Sequence, residues 1–183
     1  MGMMHVMEAS GHDSYEMVRH YFRLNEDEYG RDFRKFDGAL RTVLDSDVFR
    51  RIKGPLPIAL GQDVAGNPIA TDLGAMPHLL IAGTTGSGKS VCIKAIATCL
   101  AMMNRPDELK MVMIDPKMVE LVRFNALPHL LGHAEYDMDR VTRVLLWVAK
   151  EMDERYKKFA EAGARNLDDH NKRMARRKNE EPL

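Results

Sequence analysis

From residue 138 onward, apolar side chains return at three- and four-residue steps: Val141, Val144, Leu145, Val148, Met152, Tyr156 and Phe159. That is the period of one helix face and predicts a long amphipathic helix, with Trp147 helping to anchor it. "DMDR" supplies an Asp at its start and "EAGAR" a terminating Gly163, the residue types that cap helix ends. Earlier stretches have another texture. "LPIAL" and "PIATDL" flank "GQDVAGN", whose Gly, Asp and Asn are turn formers, so a β-hairpin is expected. "HLLIAG" and "LKMVMID" are near-continuous apolar runs, as buried parallel strands show. Between them Ser90 to Met103 reads as a helix, broken by "NRPDE". Strand, helix and strand make a βαβ unit, whose crossover is right-handed. "PKMVELVRFNALPHLLGHAEYD" reads as a short helix and then loops around Pro128.

Residues 1–53 are polar and charged, with scattered aromatics. "SYEMVRHYFRL" and "FRKFDGALRTVLDSDVFRRI" carry helical apolar spacing, which predicts two or three short helices and no chemical motif. The expected division is a mostly helical accessory or linker segment, 1–53, followed by an α/β domain, 54–183.

Lys+Arg and Asp+Glu number 27 each, so no overall charge draws the chain to nucleic acid or membrane, and any such affinity must be local. The local candidate is "RMARRK" (Arg173, Arg176, Arg177, Lys178). Without interleaved aromatics it reads first as a solvated basic end. Cys92 and Cys99 would share a helix face two turns apart, too distant for a disulfide. They read as small buried apolar residues in a reducing cytoplasm. No apolar run reaches the roughly 18 residues that span a bilayer. The N-terminal residues lack the basic start and apolar core of a signal peptide, so a soluble, cytoplasmic chain is expected. His78, His129 and His133 lack metal-site spacing and read as structural or capping residues.

The chemistry sits between the two expected strands. Gly83, Thr84, Thr85, Gly86, Ser87, Gly88, Lys89 and Ser90 match G-x-x-x-x-G-K-[ST] in full, between a strand and a helix, with Val91 next in line. Glycines let backbone N–H groups curl round an anion. The helix start aims unpaired N–H donors and its positive dipole end at phosphates. Lys89 supplies a mobile charge for the β- and γ-phosphates of ATP, and the Ser90 hydroxyl completes a Mg²⁺ shell. Hydrolysis needs in addition a carboxylate at the end of an apolar strand. The candidate is Asp115 in "MVMIDPK", at the strand edge where ligands bind in parallel sheets. Pro116 follows where a catalytic Glu often stands. The other readings of Asp115 are polar support beside the phosphate loop, or orientation of Lys117.

The runs "PLPIALGQDVAGNPIATDLGAMPHLLIAGTTGSGKSV", "MVMIDPKMVEL", "LPHLLG" and "LLWVAKEMDERYKKFAEAGARNLDDHN", in this order and spacing, resemble the motor domain of FtsK/SpoIIIE DNA translocases. The likeness runs from about Asp45 to Met174. It implies a P-loop NTPase with a RecA-like parallel sheet flanked by helices, assembled as a homo-hexameric ring around double-stranded DNA. ATP hydrolysis would drive translocation in chromosome segregation at the division septum, with anchoring to the inner membrane through segments outside this sequence. Gly83 to Ser90 would be the phosphate loop, and Asp115, Pro116 and Lys117 the "DPK" element beside it. The family's Walker B strand, ending in Asp-Glu, comes well downstream of the "EMDERY" helix, so 54–183 is expected to hold the first part of the core. Residues 1–44 do not resemble what precedes the motor in the family. Arg155 and Arg165 are candidates, not otherwise distinguished, for an arginine that reaches a neighbouring subunit. The competing readings are a non-hydrolysing ATP-binding or interaction module and a related secretion or conjugation ATPase.

Overall fold

The structure is a computed structural model that describes residues 38–76 and 78–176. The proposed helix in "SYEMVRHYFRL" lies outside the described residues, as does the first part of the next one. The described residues fall into two units, divided in sequence between Ala134 and Glu135.

In the first unit residues 38–44 are helical (α1) and bury Leu40, Val43 and Leu44, three- and four-residue steps along one face. A short helix follows, α2 (Asp47–Arg50), capped by Ser46, whose hydroxyl oxygen accepts from the Phe49 N–H at 3.2 Å. Two strands, β1 (Pro57–Gln62) and β2 (Pro68–Asp72), pair antiparallel with Ile58 opposite Thr71. The hairpin foreseen from "GQDVAGN" is therefore present. Its turn is tied by Asp63, whose Oδ1 accepts from the Ala65 and Asn67 N–H groups at 2.8 Å each. The register shifts by a bulge between Ala59 and Gly61, with φ 129° at Gly61.

The helix expected from Ser90 to Met103 is α3 (Lys89–Met103). Ala95, Ala97, Cys99 and Ala101 are buried along it, and their small side chains bring two clusters close to its axis. One joins Ala95 and Cys99 to Leu40, Val43, Leu44, Phe49 and Ala59. The other joins Ala97 and Ala101 to Met113, Phe124, Leu127 and Ala134. Residues 40–49 thus pack into the same core as β1 and α3. Cys92 and Cys99 are free thiols. Burial pushes the Cys99 thiol up to about 12.

The expected parallel strands take a different form. "HLLIAG" has no strand assignment, and Leu80 is 90% exposed. "LKMVMID" contributes isolated bridge residues and no strand, among them a parallel bridge from Met111 to Leu130, closed by the Met111 N–H to His129 O (2.7 Å) and the Leu131 N–H to Met111 O (3.0 Å). Among the described residues the only sheet is the two-stranded hairpin. A central parallel strand needs neighbours on both sides to take its N–H and C=O groups, and here the apolar runs lack them. His129 is fully buried, with Nε2 at 2.9 Å from the Asn104 carbonyl just past the end of α3. A 3₁₀ turn, Val122–Phe124, is the short helix expected before Pro128.

The second unit is a helical pair. The long helix is α4 (Met138–Ala162), capped by Asp137, whose Oδ1 accepts from the Asp139 and Arg140 N–H groups. It ends at Gly163 with φ 65°. The last helix is α5 (Leu167–Met174), capped by Asn166. The Phe159 and His170 rings lie 5.5 Å apart, and Arg173 Nη1 donates to the Ala162 carbonyl at 3.4 Å. Of the α4 stripe only Val141 is buried; Leu145, Trp147, Val148, Met152 and Tyr156 are exposed. Trp147, expected to help anchor the helix, is 47% exposed. No helix among them is long and apolar enough to cross a membrane.

Candidate nucleotide-binding site

Residues 83–90 run along the surface into α3. Thr84, Thr85, Gly86, Ser87 and Gly88 are exposed, as is Val91 beyond them. Gly86 and Gly88 hold φ of 81° and 90°, a left-handed backbone that costs a residue with a Cβ about 1–2 kcal/mol. Gly88 is the N-cap of α3, and no side chain caps that end. The first-turn N–H groups of α3 accordingly face outward with the positive end of the helix dipole behind them.

Lys89 Nζ donates to the carbonyls of Gly83 (2.8 Å) and Thr84 (2.6 Å). Its ammonium is thereby folded back over the concave side of the loop. Carbonyl oxygens are neutral acceptors, and an anionic phosphate makes a stronger charge-assisted bond with an ammonium. These features fit a polyphosphate: open N–H donors, a cation tethered by exchangeable bonds, and glycines that admit close approach.

Asp115 is buried at the end of the "MVMID" run. Its Oδ1 accepts from the Lys117 N–H at 3.3 Å, and its Oδ2 from Val119, Glu120 and Leu121 at 3.1, 2.8 and 2.9 Å. Burial pushes its carboxyl up, but the donors at Leu121, Glu120, Lys117 and Val119 outweigh this and leave it below the ordinary value. Met118, between these donors, takes φ 55°, which turns successive N–H groups toward one oxygen. The carboxylate is thus engaged by its own loop.

That loop reaches α3 through Glu120. Its carboxylate pairs with Lys94. Ser90 and Lys94 are one helical turn apart and share a face. The Lys94 pair holds Glu120 below the ordinary carboxylate value against the opposing effect of burial, with nearby Ser90 and the charge of Arg123 adding to it. The structure therefore joins Lys94 to Glu120, with Asp115 fixing the backbone behind Glu120 and Ser90 one turn from Lys94 on α3. The motif pointed to Ser90 but not to Lys94 or Glu120. The available signal was the i, i+4 spacing of Ser90 and Lys94, facing an acid just past the "DPK" turn.

His78 and His133 are exposed, and no group of metal-binding side chains forms among the described residues. Arg155 pairs with Glu151 at 2.8 Å along α4. The Arg165 N–H donates to Asp169 Oδ2. Arg177 and Lys178 lie outside the described residues.

The family model described as FtsK/SpoIIIE matches residues 39–182. The chain belongs to the FtsK/SpoIIIE family. It is 48% identical over 136 residues to the DNA translocase SftA of Bacillus subtilis, covering 74% of this chain and 14% of that protein. It is 48% identical over 134 residues to the DNA translocase FtsK of Caldanaerobacter subterraneus, covering 73% and 19%. To the DNA translocase FtsK of Shewanella oneidensis it is 44% identical over 139 residues, covering 76% and 15%. The chain therefore spans under a fifth of the length of these relatives. Membership brings the P-loop NTPase fold and nucleotide use as the family's general character. The parallel RecA-like sheet is a finer matter, since the described residues form the hairpin alone.

Proposed function

We propose that residues 83–90 bind the phosphates of ATP with Mg²⁺, and that this chain carries the nucleotide-binding part of an ATP-driven double-stranded DNA translocase. The observation that carries this reading is the uncapped start of α3 behind a Gly83–Ser90 loop, in a chain matched by the FtsK/SpoIIIE model from 39 to 182. Gly86 and Gly88 let the loop curl, the N–H groups of Lys89, Ser90 and Val91 face the phosphates, and Lys89 moves from the Gly83 and Thr84 carbonyls onto them. Ser90 holds Mg²⁺ through its hydroxyl; when bound, the ion neutralises charge on the phosphate oxygens. The relatives' names, DNA translocase FtsK and SftA, support DNA as the partner. The family likeness supports a homo-hexameric RecA-like ring on double-stranded DNA, at the cytoplasmic face of the membrane, in chromosome segregation and cell division.

The test is binding of a fluorescent ATP analogue to the full chain and to Lys89→Ala. The substitution is expected to abolish binding while leaving the fold intact by circular dichroism. Equal binding by both proteins would show that the nucleotide sits elsewhere.

A further inference from the structure

The start of α3 is the part of the helix that core packing does not hold. Burial along α3 begins at Ala95, and residues 89–94 are exposed or half-buried. No side chain caps the helix at Gly88. Its first turn closes through the Cys92 N–H, which donates to the Gly88 carbonyl at 2.9 Å. A helix end with neither cap nor packing opens readily. Lys94 is where another element grips this stretch. Its ammonium pairs with the Glu120 carboxylate, the two side chains being 21% and 34% exposed. Glu120 belongs to a fixed loop, since its N–H donates to Asp115 Oδ2 at 2.8 Å. The same oxygen takes the Val119 and Leu121 N–H groups at 3.1 and 2.9 Å, and Asp115 is itself buried.

We propose that the Lys94–Glu120 pair is the positioning device of the nucleotide site. It ties the first turns of α3 to the 115–121 loop, keeps the turn from Gly88 to Cys92 closed, and so holds the N–H groups of Lys89, Ser90 and Val91 in line. The proposal rests on the reading of residues 83–90 as a nucleotide site. Neither Lys94 nor Glu120 needs to touch the ligand. The two partners are not equivalent, however. Lys94 lies about 6 Å along the helix axis from Ser90, at about 1.5 Å per residue, inside a Debye length of about 8 Å. Removing its charge unties the helix and also leaves the Glu120 carboxylate unneutralised near an anion site. Removing the Glu120 charge unties the helix but frees a cation. The two effects add in the first case and oppose in the second.

The experiment titrates a fluorescent ATP analogue with Mg²⁺ into the full chain for wild type, Lys94→Met, Lys94→Arg, Glu120→Ala and the double variant Lys94→Met/Glu120→Ala. Amide hydrogen exchange is followed on the same proteins without nucleotide. Residues in contact couple strongly enough that Lys94→Met is expected to weaken binding about three- to tenfold. Glu120→Ala should weaken it less, the double variant should lose less than the two single losses combined, and Lys94→Arg should restore affinity. In Lys94→Met the Cys92 amide should exchange faster, while the Cys99 and Ala101 amides, in the buried part of α3, keep their wild-type rates. Thermal unfolding checks that each variant is folded; should Lys94→Met fail to fold, Glu120→Ala and its Cys92 amide decide. Wild-type affinity in the folded variants, or losses that simply add in the double variant, overturns the proposal and leaves the nucleotide site standing. Faster exchange spread evenly along α3 also overturns it, because that marks a general loss of stability. If wild type binds no analogue, the site reading falls and this proposal with it.

Discussion

Two loops of the first unit solve the same problem in opposite ways. Residues 115–121 turn their N–H groups inward onto a carboxylate of their own, Asp115. Residues 83–90 hold no such acid: the Ser87 N–H goes to the Thr84 carbonyl, and the start of α3 has no side-chain cap. Both rely on left-handed backbone, at Met118 in one and at Gly86 and Gly88 in the other. The first loop is complete as folded, and so serves as a fixed wall. The second has no acid of its own, as the proposed anion site requires. The difference lies in whether the acid is covalently part of the loop or arrives with a ligand.

The sharpest way to break this contrast is to empty the first loop. Asp115→Ala leaves four N–H donors without their acceptor and should lower stability by about 3 kcal/mol, since each buried donor left unpaired costs about 1–3 kcal/mol and water recovers part of that. Urea unfolding measures it. The same group sets a pH dependence. Its folded value lies below the ordinary aspartate value of 3.8, so its contribution is fully present above 3.8 and is lost as pH falls through the lower folded value. The stability gap between wild type and Asp115→Asn should therefore narrow on acidification below 3.8; a gap constant across that range would mean the donors do not stabilise the charge.

Gly88→Ala attacks the second loop. A Cβ at φ 90° should cost about 1–2 kcal/mol of stability, and the altered curl should weaken ATP-analogue binding as well. If thermal unfolding shows no loss, the left-handed turn is not needed in the free protein. The smallest effect is expected on α4. Breaking the exposed Arg155–Glu151 pair with Arg155→Ala should change stability by only about 0.3–0.5 kcal/mol, read from the unfolding midpoint. A larger loss would mean that Arg155 does more than pair along its own helix.

The two thiols of α3 repeat the contrast at one helix. Cys99 is buried and its thiol is pushed up to about 12, whereas Cys92 is partly exposed with a smaller rise from burial. A thiol reagent should label Cys92 first, leaving Cys99 unmodified until the protein unfolds.

Much of the fold was legible because its signals are local. Period and caps predicted α4 between Asp137 and Gly163. Turn residues predicted the β1–β2 hairpin, and small apolar residues after a glycine loop predicted α3. The strands were not legible in the same way. "HLLIAG" has the composition of a central strand, yet Leu80 is exposed, because strand formation depends on neighbours that a run of apolar residues cannot supply for itself. The α4 stripe carries the same lesson: its period fixes a helix face but does not say what that face packs against.

The sequence by itself determined the Gly83–Ser90 motif, the helix behind it and the family, because each depends on residue types at fixed short spacing. Only the tertiary structure decided which acid reaches α3. Asp115, the acid at the end of the apolar run, is engaged by its own loop, and Glu120 is the one that reaches α3. Proximity across loops depends on the three-dimensional path of the backbone, and a one-dimensional pattern does not contain it.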